Sequence, residues 1–204
     1  MHAITSESSG FNPAPPTVIL MDINSCFATI EQQANPLLRG RPVIVGAYTT
    51  DRGFVLAASR EAKQMGIKMG ITVGDAKRIC PNVAIIFPDS DKYRFINKKL
   101  EKLASQYALD VDVKSIDEMV FSLTNMPALR DRIQTGMSER EAMIDIAKEI
   151  KRRVKNEIGD WITLSIGIAP NRYLAKIGAS YQKPDGLTCI DKENIIENLG
   201  YKKL

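Results

Sequence analysis

A continuous apolar run near the start of the chain ends in an acidic residue, and this feature limits the fold more than any other. Residues 18–21 read Val-Ile-Leu-Met, a run that is far too short to span a bilayer but typical of a strand buried on both faces. Asp22 follows directly, at the carboxyl end of that strand. Because sites in α/β proteins tend to lie at the carboxyl ends of strands, Asp22 is the first candidate functional residue.

Strand patterns and helix patterns are interspersed along the rest of the chain. Further strands are predicted at 42–45, 54–58, 83–87, 111–116, 119–123 and 161–168. Short helices are predicted at 25–34, 61–65, 72–79 and 171–180, and another is predicted to begin at Asn194. Two long amphipathic helices are predicted at 89–107 and 139–154, the first with Phe95 on its apolar face. This order predicts an α+β fold in which a sheet lies on two long helices.

Composition and charge exclude several classes of protein. Apolar residues make up 44% and charged residues 25%, so general disorder is excluded, although the Ser- and Pro-rich residues 1–16 are expected to form a flexible tail. Cys26, Cys80 and Cys189 are widely spaced and His2 is the single histidine, which argues against a disulfide framework or zinc site and favours a reducing cytosol. A net charge of +4 permits a nucleic-acid partner without requiring one, and the N-terminal sequence lacks the pattern of a secretory signal.

A second acidic group lies at a predicted junction between two strands. Because neighbouring strand residues point to opposite faces, Asp117 and Glu118 can share a site only at the tip of a hairpin. Together with Asp22 they would repel each other unless divalent cations were bound, and a set of oxygen ligands without His or Cys suits magnesium. A carboxylate site with two metal ions fits phosphoryl transfer. The alternative is that Asp117 and Glu118 are ordinary turn acids with lysine partners.

Four sequence blocks, in this order, resemble the motifs of the Y-family, translesion DNA polymerases. Residues 21–31 read MDINSCFATIE and resemble the first motif, and residues 58–70 read ASREAKQMGIKMG and resemble the fingers motif. Residues 115–118, SIDE, resemble the second acidic motif. Residues 165–180, followed by Lys-Pro-Asp-Gly at 183–186, resemble the motif that joins palm and thumb. Together the blocks are highly specific, and they are most similar to the bacterial polymerase IV and UmuC branches.

The resemblance implies a set of metal ligands. Asp22, Asp117 and Glu118 match the family's metal-binding, catalytic carboxylates. Ile23 would add its backbone carbonyl, since main-chain oxygen is an acceptable magnesium ligand. Two Mg²⁺ ions are expected when a nucleotide is bound.

The resemblance also implies how a nucleotide would bind. Phe27 matches the aromatic steric gate, which would pack under the deoxyribose and clash with a 2′-hydroxyl. Arg60, Lys63 and Lys183 match positions that contact the triphosphate. From the residues alone, Phe27 is better explained as a core residue of an amphipathic helix, and the usual explanation of each cation is an exposed surface residue.

Three positions depart from the common pattern of the family. Many relatives carry Asp where Asn24 stands, and a second aromatic residue where Cys26 stands. Many polymerase IV-like chains have Tyr where Arg60 stands. Because Asn24 and Arg60 follow the UmuC-like variant, the choice between the two branches stays open.

The resemblance implies a subdomain organisation for the α+β fold. A ferredoxin-like palm sheet with two long helices is expected from residues 17–25 and 89–188, with a small α/β fingers subdomain inserted at 26–88. Residues 189–204 would begin a helical thumb. Because the family's thumb and little-finger domain extend well beyond this point, the chain is expected to be a fragment that binds primer-template duplex poorly on its own.

The expected function is template-directed DNA synthesis of the translesion type, with primer-template DNA and deoxynucleoside triphosphates as partners. A sliding clamp would bind through regions outside this chain, no membrane contact is expected, and the expected location is the bacterial cytoplasm, at the nucleoid. Two alternatives are a catalytically inactive, polymerase-like module that binds DNA or protein, and another two-metal palm enzyme such as a nucleotide cyclase. The cyclase motif Gly-Gly-Asp-Glu-Phe does not occur in the sequence.

Overall fold

The computed structural model describes residues 14–194. The tail expected at 1–16 and the helix expected to begin at Asn194 therefore lie almost entirely outside the described residues. Within 14–194 there are eight strands: β1 Val18–Ile23, β2 Val43–Gly46, β3 Val55–Ala58, β4 Ala84–Ile86, β5 Val111–Val113, β6 Glu118–Ser122, β7 Leu164–Ala169 and β8 Leu187–Cys189. The same range holds seven α-helices: α1 Cys26–Ala34, α2 Arg60–Gln64, α3 Val73–Ile79, α4 Ser90–Ala104, α5 Pro127–Gln134, α6 Glu139–Arg153 and α7 Arg172–Tyr181.

The larger sheet has five strands in the order β5-β6-β1-β7-β8. Its central strand β1 pairs antiparallel with both β6 and β7. Ile19 and Met21 belong to the main core beneath α4 and α6, whereas Leu20 belongs to a second core with residues of α7. β1 is thus buried on both faces, which confirms the prediction from its unbroken apolar run.

Helix α7 lies unusually close to strand β7 because of a glycine. A Cβ atom added at Gly167 would overlap the backbone of Ala175 and Ala179 on α7. Only glycine allows this close approach of helix and strand. The approach places Lys176, on the exposed side of α7, next to Glu118 at the start of β6.

The smaller sheet has the order β3-β2-β4 and its own core, formed with α2 and α3. Ser59 and Thr72 cap these two helices by accepting hydrogen bonds from the backbone of the third helical residue, and the Thr72 cap was predicted from the sequence. Helix α1 lies between the sheets, since Ile30 packs in the main core while Ala28 packs against Val45 and Ala57.

Several elements differ from the sequence prediction. The chain leaves the strand predicted at 111–116 after Val113 to make the hairpin turn, and the strand predicted at 161–168 begins only at Leu164. Helix α5, strand β8 and a π-helical turn at Val154–Ile158 were not predicted. Phe95 does not lie on the buried face of α4: it is 58% exposed, and the Lys99 ammonium lies 4.9 Å from its ring centroid. Helix α7 also covers the second face of the sheet, a layer missing from the predicted arrangement.

In the described residues no helix combines the length and the apolar character that crossing a membrane requires.

Candidate active site

Strand pairing places the two acidic motifs side by side. Asp22 and Glu118 are directly opposite each other on the antiparallel strands β1 and β6, so their side chains leave the same face of the sheet. The backbone N–H of Ile23 donates to the carbonyl of Asp117 at 2.9 Å. The register of one strand pair therefore brings together residues that are 94 (Ile23 and Asp117) and 96 (Asp22 and Glu118) positions apart in sequence.

Asp117 lies at the end of the tight turn between β5 and β6. Ser115 Oγ donates to Asp117 Oδ1 at 2.5 Å, and Asn97 Nδ2 on α4 donates to the carbonyl of Ile116 at 3.0 Å. The first bond lies within the turn, and the second attaches the turn to α4, a long helix of the main core. Asp117 is thus on the turn and Glu118 on the strand, the hairpin-tip arrangement that the spacing required.

A cavity of about 290 Å³ lies between the acidic end of the large sheet and the small sheet. Asp22 and Asp117 line it from one side, and Lys63 and Lys183 are also part of its lining. The other lining residues are largely apolar: Ile23, Ser25, Cys26, Phe27, Leu56, Ala57, Ala58, Met69 and Ile116. The cavity thus joins carboxylates, ammonium groups and an aromatic ring in one space.

Lys183 joins the loop after α7 to the first acidic residue. Its ammonium group donates to Asp22 Oδ2 at 2.5 Å. The same loop is held by the backbone N–H of Asp185, which donates to Asn24 Oδ1 at 2.8 Å, and by Lys151 on α6, whose Nζ lies 2.9 Å from Asp185 Oδ1. The position of Lys183 is therefore set by contacts to both β1 and α6.

Asn24 is an organising residue that sequence reasoning noted only as a departure from the family pattern. It is 7% exposed, and its Nδ2 donates to Ser165 Oγ at 2.7 Å. Its Oδ1 accepts from Thr163 Oγ1 at 3.1 Å and from the Asp185 N–H. A buried amide held in this way fixes the corner after β1 to β7 and to the Lys183 loop. The sequence signal was a polar side chain directly following a fully buried strand.

Burial and charge shift the protonation equilibria of two groups that line the cavity. Burial raises the pKa of Asp22, and the negative charges of Asp117 and Glu118 raise it further against the opposing effect of Lys183. Burial also lowers the pKa of Lys63, and the nearby Lys183 charge lowers it further. A bound cation would relieve the repulsion between Asp22 and the neighbouring acids, and a bound anion would relieve the repulsion between Lys63 and Lys183.

The three carboxylates are chemically suited to bind magnesium, and two of them form ion pairs with lysine side chains. Lys183 contacts Asp22, and Lys176 Nζ lies 2.8 Å from Glu118 Oε2. In the part of the chain that the structure describes, no three acidic, histidine or cysteine side chains converge closely enough to hold a metal as they stand. The all-oxygen donor set nevertheless has the chemistry that Mg²⁺ prefers, and Asp22 and Glu118 leave the same face of the sheet.

The three predicted triphosphate residues surround one open cavity of about 440 Å³. Arg60 and Lys63, on α2, line it together with Lys183. Lys63 Nζ donates to Ser25 Oγ at 2.9 Å, which connects α2 to the N-terminus of α1. The lining described here carries three cations and no acidic residue, so the cavity suits a polyanion.

Phe27 combines features of both interpretations offered from the sequence. Its ring is half-buried and stacks on Tyr93 of α4, with centroids 4.4 Å apart and planes at 11°. It also lines the 290 Å³ cavity with Asp22 and Asp117. Phe27 is thus attached to the core while presenting surface to the candidate site.

Solved structures with a similar fold include DNA polymerases. The alignment with a Y-family DNA polymerase chimera covers 88% of this chain and 50% of the chimera, with a TM-score of 0.78 and 30% identity. The alignment with DinB from Sulfolobus solfataricus covers 88% of this chain and 50% of DinB, with a TM-score of 0.77 and 30% identity. The fold is therefore similar to the palm and fingers of Y-family DNA polymerases.

Sequence comparison agrees with the fold and identifies the family. A family model described as impB/mucB/samB matches residues 21–180, and the chain belongs to this family. Proteins named DNA polymerase IV are similar to it: that of Pelotomaculum thermopropionicum is 38% identical over 175 residues and that of Ralstonia nicotianae 35% identical over 178 residues. These alignments cover 85% and 87% of this chain but only 40% and 46% of the relatives, so the chain spans less than half their length. The Y-family resemblance drawn from the four motifs is confirmed.

Proposed function

We propose that the chain forms the catalytic palm and fingers of a template-directed DNA polymerase of the translesion type. In this reaction a primer 3′-hydroxyl attacks the α-phosphate of a deoxynucleoside triphosphate, and pyrophosphate leaves. The palm comprises residues 17–25 and 89–188, and the fingers comprise residues 26–88. The likeness to proteins named DNA polymerase IV and to Y-family structures supports the proposal.

One observation carries the proposal: acidic and cationic side chains line a single cavity. Asp22 lies at the carboxyl end of the central strand β1 and Asp117 in the turn before β6, while Lys63 comes from α2 and Lys183 from the loop after α7. A nucleotide with its metal ions presents both charges, cationic metal for the carboxylates and anionic phosphates for the ammonium groups. The arrangement matches a substrate that carries both signs of charge.

Asp22, Asp117, Glu118 and the backbone carbonyl of Ile23 would hold two magnesium ions. When bound, these ions supply the charge that activates the primer hydroxyl and stabilises the leaving pyrophosphate. Lys183 neutralises Asp22 in the absence of nucleotide and exchanges this contact for a phosphate when a triphosphate binds. In this exchange neither group is left unpaired, because Asp22 gains a metal ion and Lys183 gains a phosphate.

The remaining nucleotide contacts follow from the same cavities. Arg60 and Lys63 bind the triphosphate from α2, and Phe27 lies under the sugar and excludes a 2′-hydroxyl. Ala57 and Ala58 keep the fingers side of the cavity wide, which supports tolerance of damaged bases. DNA as substrate also implies a location at the bacterial nucleoid, in the cytoplasm, and a role in synthesis past DNA damage.

An inactive binding module is the second candidate, and a nucleotide cyclase the third. The charges of Asp117 and Glu118 add to the effect of burial in raising the pKa of Asp22, and this argues against the inactive module, since a chain without catalysis gains nothing from keeping these acids side by side. Primer extension by the full-length gene product separates the three, with magnesium present or chelated and with each deoxynucleotide supplied alone. We expect magnesium-dependent addition of the base complementary to the template. DNA binding without extension would instead identify a binding module, and a cyclic nucleotide product would identify a cyclase.

A further inference from the structure

A buried carboxylate that plays no part in the proposed chemistry lies one helical turn from Phe27. Glu31 is only 4% exposed, and because it follows Phe27 by four positions on α1, the two side chains leave the same side of that helix. Burying a charged group is costly unless it is paired and hydrogen-bonded. The partners of Glu31 therefore indicate why a carboxylate is kept there.

Two consecutive residues of α4 satisfy both oxygens of Glu31. Lys92 Nζ donates to Oε2 at 2.7 Å, and the Tyr93 hydroxyl donates to Oε1 at 2.9 Å. Tyr93 is itself 3% exposed. Burial, with a smaller contribution from the Glu31 carboxylate, raises the pKa of Tyr93, so its hydroxyl stays a hydrogen-bond donor.

The ring of Tyr93 supports the ring of Phe27. The nearly parallel stack fixes one face of Phe27, and the hydroxyl at the far end of Tyr93 is held by Glu31. A phenylalanine at position 93 would preserve the stack but lose this second anchor. Since close packing makes a supported ring rigid, the hydrogen bond stiffens the wall that Phe27 forms beside Asp22.

We propose that Glu31 is a positioning residue for sugar discrimination: by holding the Tyr93 hydroxyl it keeps the stacked Tyr93–Phe27 pair in place under the sugar of the incoming nucleotide. The inference rests on the proposed function, because it needs Phe27 to face that sugar. Glu31 touches neither the nucleotide nor the metal ions in this account. Its effect reaches the reaction only through the two rings.

The test compares the use of ribonucleotides and deoxynucleotides by variants of the full-length gene product. Tyr93→Phe removes one hydroxyl, and Glu31→Gln removes the charge while keeping the shape. We expect Tyr93→Phe to raise the ratio of kcat/KM for ribonucleotide to that for deoxynucleotide by about three- to tenfold, the range for one lost hydrogen bond. Glu31→Gln should raise the ratio less, because its amide oxygen still accepts from the Tyr93 hydroxyl but without the charge. Because both act on the same bond, the double variant should show much less than the product of the two effects.

A second pair, formed by a buried tyrosine and a partly exposed glutamate, provides a control. The Tyr107 hydroxyl donates to Glu149 Oε1 at 2.6 Å, and Tyr107 is also buried, but it lies outside the lining of the candidate site. Tyr107→Phe should therefore leave the sugar ratio at its wild-type value, with thermal stability measured for every variant. An equal rise of the ratio in Tyr107→Phe would overturn the inference, since general destabilisation would then explain the effect.

Phe27→Ala separates failure of this inference from failure of the proposed function. If Phe27→Ala raises ribonucleotide use while Tyr93→Phe and Glu31→Gln leave the ratio unchanged, Phe27 is the gate and Glu31 does not position it. If Phe27→Ala also leaves the ratio unchanged, the proposed role of Phe27 is wrong and the inference falls with it. Should Glu31→Gln fail to fold, Tyr93→Phe, which deletes a single oxygen, decides the question.

Discussion

The Lys183 ammonium and the Asp22 carboxylate form an ion pair at 2.5 Å across 161 positions of sequence. The pair connects the loop after α7 to the end of the central strand. It also places the predicted phosphate ligand directly on a predicted metal ligand. The proposed binding of a nucleotide and its metal ions would therefore break this pair, which would make Lys183 sensitive to both.

Lys183→Ala should weaken nucleotide use. Loss of a charge-assisted bond to the triphosphate is expected to cost about 1–3 kcal/mol in kcat/KM, most of it as a higher KM. Arg60→Ala and Lys63→Ala should act in the same direction, because both line the same cationic cavity. Steady-state kinetics with varied deoxynucleotide concentration measure the effect.

The matched control for these cations is Lys98→Ala, which removes an exposed lysine on α4. It should leave the nucleotide KM as in the wild type. Unchanged kinetics in all three cavity variants would show that the α2 motif and the Lys183 loop do not bind the triphosphate.

Phe27→Ala should raise ribonucleotide incorporation strongly with a much smaller effect on deoxynucleotide use. Full loss of a buried phenylalanine costs about 3–5 kcal/mol of stability, and the half-buried Phe27 should cost less. Ile30→Val, in the same helix and 1% exposed, creates a small core defect and serves as the control. Lower thermal stability with an unaltered sugar ratio in Phe27→Ala would assign this residue to the core alone.

Asp22→Asn should stabilise the fold at neutral pH. The pKa of Asp22 is raised above its ordinary value of 3.8, mainly by burial, so the native state binds its proton more tightly than the unfolded state does. The stability that comes from this proton is present below about pH 3.8 and is lost as the pH rises through the native pKa. Thermal melts of both proteins from pH 3.5 to pH 8 should show that the advantage of the variant grows as the pH rises. An advantage that is constant over this range would contradict the assignment to Asp22 ionisation.

Local patterns predicted the parts of the fold that depend on neighbouring residues. The apolar run of β1 and the Thr72 cap carry their signals within a few residues. Helix α5 was missed because its short sequence has few apolar residues, and only Leu129 of it is buried. Phe95 was placed on the wrong face because an aromatic residue in an amphipathic helix is usually buried, whereas here Lys99 lies over its ring.

The sequence predicted which residues belong to the candidate site, but it did not predict the contacts that join them. The four motifs indicated Asp22, Asp117 and Glu118 through family resemblance, yet the register that opposes Asp22 and Glu118 is a property of two strands far apart in sequence. The role of Asn24 depends on hydrogen bonds to two other segments, and no local pattern predicts such contacts. Long-range pairing therefore accounts for most of what the sequence left open.

Magnesium-dependent primer extension by three acidic variants and one control tests most directly whether Asp22, Asp117 and Glu118 are catalytic. Asp22→Asn, Asp117→Asn and Glu118→Gln should each reduce kcat by about a hundredfold or more, the scale for removing an electrostatic group at a reacting centre, while the fold stays intact by circular dichroism. Asp112→Asn, on the neighbouring strand β5 and exposed, should extend primers at the wild-type rate. Wild-type extension by any of the three site variants, or loss of extension in Asp112→Asn as large as theirs, would contradict the account.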